Sequence, residues 1–343
     1  MFQYYYSDYN TNKNMLGFSR MIMNWFIGIM ILMQMLSKSG YTRHKASALS
    51  MQYYVMTCPM VEMIVRNEVS RALQDDPTMA APLLRLHFHD CWIEGCDASI
   101  LIDSTDDNKA EKDSPGNLSL RGYEVIDNIK DELEEQCPGV VSCADIIAMA
   151  ARDAVFLSGG PIYDIPKGRK DGRRSKIEDT VNLPFPSFNS SQLINVFAKR
   201  GFSVQDLIAL SGAHTLGVAR CSSFKQRLTK YDTTHDIDPS IDANFARTLI
   251  KTCSNGDNAQ QPFDETRNDF DNIYFNDLQN KAGVLTSDQT LFDSPRTRGL
   301  VNRYAFNEAM FFLDFQRAMV KMSLLDVKEG VKGEVRRDCR KIN

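Results

Sequence analysis

The chain has 343 residues, 43% of them hydrophobic, enough for one large core or two small ones. Its eight cysteines include no Cys-x-x-Cys pair, which argues against a zinc ribbon or a thioredoxin-like centre. Beyond residue 48, 35 basic and 43 acidic residues leave a net charge near −8, which argues against nucleic acid or an anionic membrane surface as a partner.

In chain order, the first element is an apolar block over residues 21–36, preceded by Lys13 and Arg20. Asn24 and Gln34 interrupt it, and it falls short of the roughly 20 apolar residues of a spanning helix. A secretory signal within residues 1–48 fits better, with Ala46-Ser47-Ala48 as a small-x-small cleavage pattern; a retained signal anchor is the alternative. Export places the cysteines in an oxidising compartment, where they pair.

Residues 49–343 read as one mainly helical domain. Val61 to Leu73 places Val61, Ile64, Val65, Val69, Ala72 and Leu73 near a 3.6-residue period. The stretch before and through Arg85-Leu86-His87-Phe88-His89-Asp90-Cys91 is also helical in pattern. Gly122 to Cys137 and Ser142 to Leu157 follow, the latter opened by Ser142-Cys-Ala-Asp145, a variant capping box. Gly159 to Pro186, rich in Gly, Pro and charge, reads as ordered loop. Ser191 to Arg200 stops at Gly201, Ser203-Val-Gln-Asp206 starts another helix, and Phe306 to Met322 reads as one long late helix. Two-residue alternation is scarce, so sheet content is expected to be small.

Several positions carry chemistry. Arg85 and His89 share a helix face, which pairs a proton-moving imidazole with a permanent cation; alone, such a pair is equally an ordinary charged face. His214 sits among small and apolar residues in Ala209-Leu-Ser-Gly-Ala-His214-Thr215, suited to close approach of a flat cofactor, or to a plain core histidine. Asp90, Asp97 and Ser99 surround Gly95 in a loop closed by Cys91 and Cys96, and hard oxygen donors on a kinked loop suit Ca²⁺. His87 points elsewhere on its helix and reads as structural, and His235 lies in a charged loop.

Taken together, His87-Phe-His89-Asp-Cys91, Gly95-Cys-Asp-Ala-Ser99, Val141-Ser-Cys-Ala-Asp145 and Leu210-Ser-Gly-Ala-His214-Thr215 resemble the plant secretory (class III) haem peroxidases, from about Gln52 to the C-terminus. The resemblance implies a two-part helical fold, distal and proximal, enclosing one haem b, with very little β-structure. It implies two Ca²⁺ ions, H2O2 and small phenolic donors as substrates, a monomer, and a secreted, extracellular location in the cell wall. His89 would be the distal acid–base residue, Arg85 would stabilise developing charge, and Asn117 would orient the distal imidazole. His214 would be the proximal iron ligand, with Asp288 accepting its other N–H. Pro184 would line the donor entrance.

The same resemblance implies a first calcium site from Asp90, Ile93 and Gly95 (by their carbonyls), Asp97 and Ser99, with Glu111 linked through water. The second would use Thr215, Asp264, Thr266, Asp269 (by its carbonyl) and Asp271. Eight cysteines leave on the order of a hundred pairings open from sequence; the family pattern implies Cys58–Cys137, Cys91–Cys96, Cys143–Cys339 and Cys221–Cys253. Asp145 and Arg169 match a structural ion pair. The chain departs from the family in a shorter Asp264–Thr266 spacing, Trp92 where phenylalanine is usual, Tyr163 where tryptophan is usual, and Pro115 and Ser187 where some members carry aromatics. Of the two glycosylation sequons, Asn117-Leu-Ser119 would lie inside the distal site and stay unmodified, and Asn189-Ser-Ser191 is the better acceptor. The stretch Phe306 to Asn343 and the loop Lys167 to Arg173 are similar to members associated with lignification. A secreted wall protein without catalysis is the rival reading.

Overall fold

The computed structural model describes residues 49–343; the expected signal segment and its cleavage point lie outside the described residues. The described chain is mainly helical, with eleven α-helices and one antiparallel ribbon.

The first half is built around α4 (Cys143–Leu157). Every residue from Cys143 to Val155 is buried, as expected of a mostly apolar helix that needs neighbours on each side, and its charged residues Asp145, Arg152 and Asp153 are ion-paired. Its alanines (Ala144, Ala148, Ala150, Ala151 and Ala154) let other helices come close. Packed along it are α1 (Val61–Asp75), α2 (Ala80–Ile93) and α3 (Tyr123–Gln136). The buried stripe of α1 is Val61, Ile64, Val65, Glu68 and Val69, close to the periodicity read from sequence. Ser142 caps α4 by accepting from the Asp145 amide at 3.2 Å. The reciprocal half of the capping box is not made. Asp145 is drawn instead to Arg169 Nη1 at 2.8 Å, the Tyr54 hydroxyl at 2.7 Å and the Gly168 amide at 2.6 Å. Asp145 and Arg169 form the expected ion pair, both fully buried.

The second half holds α5 (Ser190–Lys199), α6 (Val204–Ser211), α7 (Ala243–Cys253), α8 (Ile273–Gln279), α9 (Thr286–Asp293), α10 (Arg298–Phe306) and α11 (Glu308–Met322). The expectation of one helix from Phe306 to Met322 is corrected: Phe306 ends α10, and α11 begins at Glu308. Asn307 divides them. Its backbone is extended (φ −139°, ψ 93°) and its side chain accepts from the Met310 amide at 3.0 Å, capping the new helix. α6 packs on α11, and α8 on α10.

Most apolar residues join one large core. A smaller one, with Phe224, Leu228, Leu249 and Val284, lies beneath α7 and the ribbon of β1 (Val218–Arg220) with β2 (Gln260–Pro262). Four disulfides form in the expected pairing: Cys58–Cys137, Cys91–Cys96, Cys143–Cys339 and Cys221–Cys253. The last closes the smaller core, and Cys143–Cys339 ties the buried α4 to the C-terminal segment. Gly159 to Pro186 is loop apart from isolated bridges and a short 3₁₀ stretch at Ile177–Asn182. No helix among the described residues is long and apolar enough to cross a membrane.

Candidate active site and cation sites

α2 presents Arg85 and His89 one turn apart, and the two meet: Arg85 Nε donates to His89 Nε2 at 3.1 Å. The other ring nitrogen, Nδ1, lies 2.6 Å from Asn117 Oδ1. An amide oxygen only accepts, so Nδ1 carries the proton and Nε2 keeps its lone pair. Asn117 is itself fixed, because its Nδ2 donates to the Glu111 carbonyl at 2.8 Å. Arg85 is held by Ser119 Oγ and the Gly116 carbonyl, each at 2.9 Å. Burial, and then the Arg85 charge, push the His89 pKa down to about 3. His89 is therefore a neutral base at ordinary pH. Burial also lowers the Arg85 pKa, to about 10, which leaves it a cation at neutral pH.

His214 lies in the 3₁₀ turn Gly212–Thr215 that follows α6, outside the α-helix proper. Its Nδ1–H donates to Asp288 Oδ1 at 2.8 Å. Asp288 is buried in the first turn of α9 and also accepts from the Tyr274 hydroxyl at 3.0 Å and the Leu285 amide at 3.1 Å. Burial and the Asp288 charge raise the Tyr274 pKa well above its ordinary value, so it stays protonated and donates. One face of the His214 ring stacks on Phe263, with centroids 4.2 Å apart and planes within 5°. The ring is 38% exposed although Asp288 beneath it is buried. Nε2 is thus the end left to bind a metal, which fits a haem iron on this imidazole.

The loop after α2 gathers buried carboxylates. Asp90, Asp97, Ser99 and Glu111 are all buried. Asp90 Oδ2 accepts from the Ala98 amide and Asp97 Oδ1 from the Ser99 amide, each at 3.1 Å, and Ser99 Oγ donates to Glu111 Oε2 at 3.3 Å. The second oxygens, Asp90 Oδ1 and Glu111 Oε1, are buried with no hydrogen-bond partner. Burial and the neighbouring Asp90 and Asp97 charges push the Glu111 pKa up to about 9. Crowded acids with two buried, unpartnered oxygens are what a bound cation relieves, so these residues fit Ca²⁺. Ile93 ends α2, where helix carbonyls lack amide partners. Gly95 follows at φ +108°, and a Cβ there would come within 2.7 Å of the Asp326 carbonyl.

The second oxygen cluster also assembles, despite the short Asp264–Thr266 spacing. Thr215 Oγ1 lies 2.8 Å from Asp264 Oδ2 and 2.9 Å from Asp271 Oδ1. Asp264 Oδ1 accepts from the Thr266 amide at 3.0 Å and its hydroxyl at 3.2 Å. Burial and the Asp271 charge raise the Asp264 pKa to about 6 against its hydrogen bonds. The Asp269 amide donates to the Thr266 carbonyl at 2.7 Å, which folds the loop back on itself.

Pro184 is half-buried, beside the exposed Phe185, and Leu183 packs next to Gly116, whose carbonyl holds Arg85. Asn117 is buried and engaged at both ends of its amide, whereas Asn189 is exposed and caps α5. His235 is exposed and contacts Asp232. The partners that sequence reading missed are Ser119 and the Gly116 carbonyl on Arg85, and Tyr274 and Phe263 around His214. Gly116 and Ser119 flank Asn117, so the neighbourhood of a named residue was a usable signal there. Phe263 immediately precedes Asp264; for Tyr274 no local signal exists.

Comparison with known proteins gives the family. The family model described as Peroxidase matches residues 65–307. Peroxidase 47 of Arabidopsis thaliana is 69% identical over 304 residues, covering 89% of this chain and 91% of that protein. Peroxidase 64 of the same plant is 50% identical over 298 residues (86% and 93%), and Peroxidase 66 is 48% identical over 301 (87% and 93%). Likeness of this extent, over nearly the whole length of each protein, shows that the chain belongs to the plant haem peroxidase family and is a peroxidase.

Proposed function

We propose that the chain is a secreted peroxidase that binds one haem b and two Ca²⁺ ions and uses H2O2 to oxidise small phenolic donors in one-electron steps. The observation that carries this reading is the Arg85–His89–Asn117 chain, which holds a neutral imidazole whose Nε2 lone pair meets only the Nε–H of a fixed cation. His214 Nε2 would hold the iron, and the bound haem supplies the two-electron reduction of peroxide and the one-electron steps that follow. His89 Nε2 takes the proton of the peroxide oxygen that approaches it and returns it to the departing oxygen, which leaves as water. Peroxide must first displace the Arg85 Nε–H from that nitrogen. Once displaced, the Arg85 guanidinium faces the negative charge that builds on the departing oxygen. Asn117 keeps Nδ1 protonated throughout, and its bond to the Glu111 carbonyl links this imidazole to the first calcium site. Asp288 accepts the His214 Nδ1 proton and raises the electron density at Nε2, which favours oxidised iron.

Residues 1–48 act as the signal, residues 49–343 as the catalytic domain, and Asn189 as the glycan acceptor. The cell wall is the site of action, and donors that reach Pro184 include lignin precursors. Donor oxidation by purified holoenzyme tests the substrate class: monolignols and simple phenols are both expected to turn over with H2O2. Turnover of simple phenols without monolignols would remove the lignification reading, and turnover of neither would remove phenols as the donor class.

A further inference from the structure

Trp92 is the only tryptophan beyond residue 48, and it stands on α2 one turn after Phe88 and His89. It is fully buried within a set of rings. Its indole lies 5.0 Å from Phe88, 4.6 Å from Phe197 and 5.2 Å from Phe202 between centroids, and Phe88 in turn lies 5.7 Å from the His89 ring. Its Nε1–H is buried with no hydrogen-bond partner. A satisfied structural tryptophan usually spends that N–H on an acceptor; here the site offers only ring faces and apolar contacts. Two cations border this ring set. Lys321 sits 4.8 Å from Phe202 and is paired with Asp206 at 2.7 Å. Arg200 Nη2 donates to the Cys91 carbonyl at 3.0 Å and pairs with Asp326 at 3.2 Å.

We propose that Trp92 is an internal electron donor, an oxidisable station behind the distal histidine that fills when peroxide arrives and no phenol is bound. The inference rests on the haem reading above. H2O2 takes up two electrons and two protons and becomes two waters. Both electrons would come from the haem; Trp92 replaces one of them from its indole ring and becomes an indole radical cation, and the other is replaced by a second phenolic donor. The N–H keeps its proton because no acceptor lies within reach of Nε1. A phenolic donor later returns the electron, loses its own proton and leaves as a phenoxyl radical. Successive rings from His89 through Phe88 to Trp92, the first pair edge-on and the second tilted, supply the path, and full burial keeps the indole out of bulk solvent.

The test is electron paramagnetic resonance of haem-loaded enzyme frozen within a second of adding H2O2 without donor, for wild type and Trp92→Phe. Phenylalanine keeps a ring among Phe88, Phe197 and Phe202, so the variant is expected to fold, and a Soret band reports haem binding in both. The expected result is an organic radical signal in wild type that narrows when the protein is grown with ring-deuterated tryptophan and is lost in Trp92→Phe. A Soret band with no radical, or with a radical that persists in Trp92→Phe, would overturn the assignment. A missing Soret band would instead remove the haem reading on which it rests.

Discussion

His87 and His89 share a helix and the same burial, and burial lowers both pKa values to about 3, with the Arg169 charge adding to it at His87. Their partners separate them. Both ring nitrogens of His87 lack hydrogen bonds, whereas His89 is engaged at both. His87 also lies close to Cys91 and Cys96, a metal-like grouping, but both sulfurs are spent in a disulfide. A pH dependence follows from the two shifted groups. His89 is an unprotonated base above about 3 and Arg85 a cation below about 10. The second-order rate of the enzyme with H2O2 is therefore expected to be flat between those limits and to fall on either side, as measured by stopped-flow absorbance. A fall centred near pH 6.5, the ordinary histidine value, would show that His89 is not shielded as described.

At the scale of elements, the helices legible in sequence were α1, with its apolar period, and α4, with its Ser142 cap and near-continuous apolar run. The division between α10 and α11 was hidden because the apolar pattern runs on through Phe306 and Phe311, while the break is made by one capping side chain. Asn307→Ala removes that cap and is expected to cost about 1 kcal/mol, read as a lower midpoint in urea; an unchanged midpoint would mean that packing alone sets the boundary. The cation loop after α2 was legible because its acids lie within one short stretch. Asp288 was legible only through a family motif, since 74 residues separate it from His214. Tyr274 and Phe263 reach the same imidazole through tertiary packing that no local pattern records.

Across the whole molecule, the acids of the first cation site connect outwards. Glu111 reaches His89 through Asn117, and Asp97 lies 3.6 Å from Lys328 of the C-terminal segment. Removing the proposed Ca²⁺ would leave buried carboxylates facing one another. Chelation is expected to destabilise the protein by about 3 kcal/mol or more, the scale of an uncompensated buried charge. A lower melting temperature restored by added Ca²⁺ is the predicted observation, and an unchanged one would mean that the acids are held without a cation. The central claim is that His89, positioned by Asn117 and Arg85, moves the proton when peroxide is cleaved. Stopped-flow spectra of haem-loaded wild type and His89→Ala mixed with H2O2 test it most directly. The prediction is a Soret band in both and a peroxide-induced spectral change slowed at least about 10²-fold in the variant. An equally fast change in the variant would contradict it.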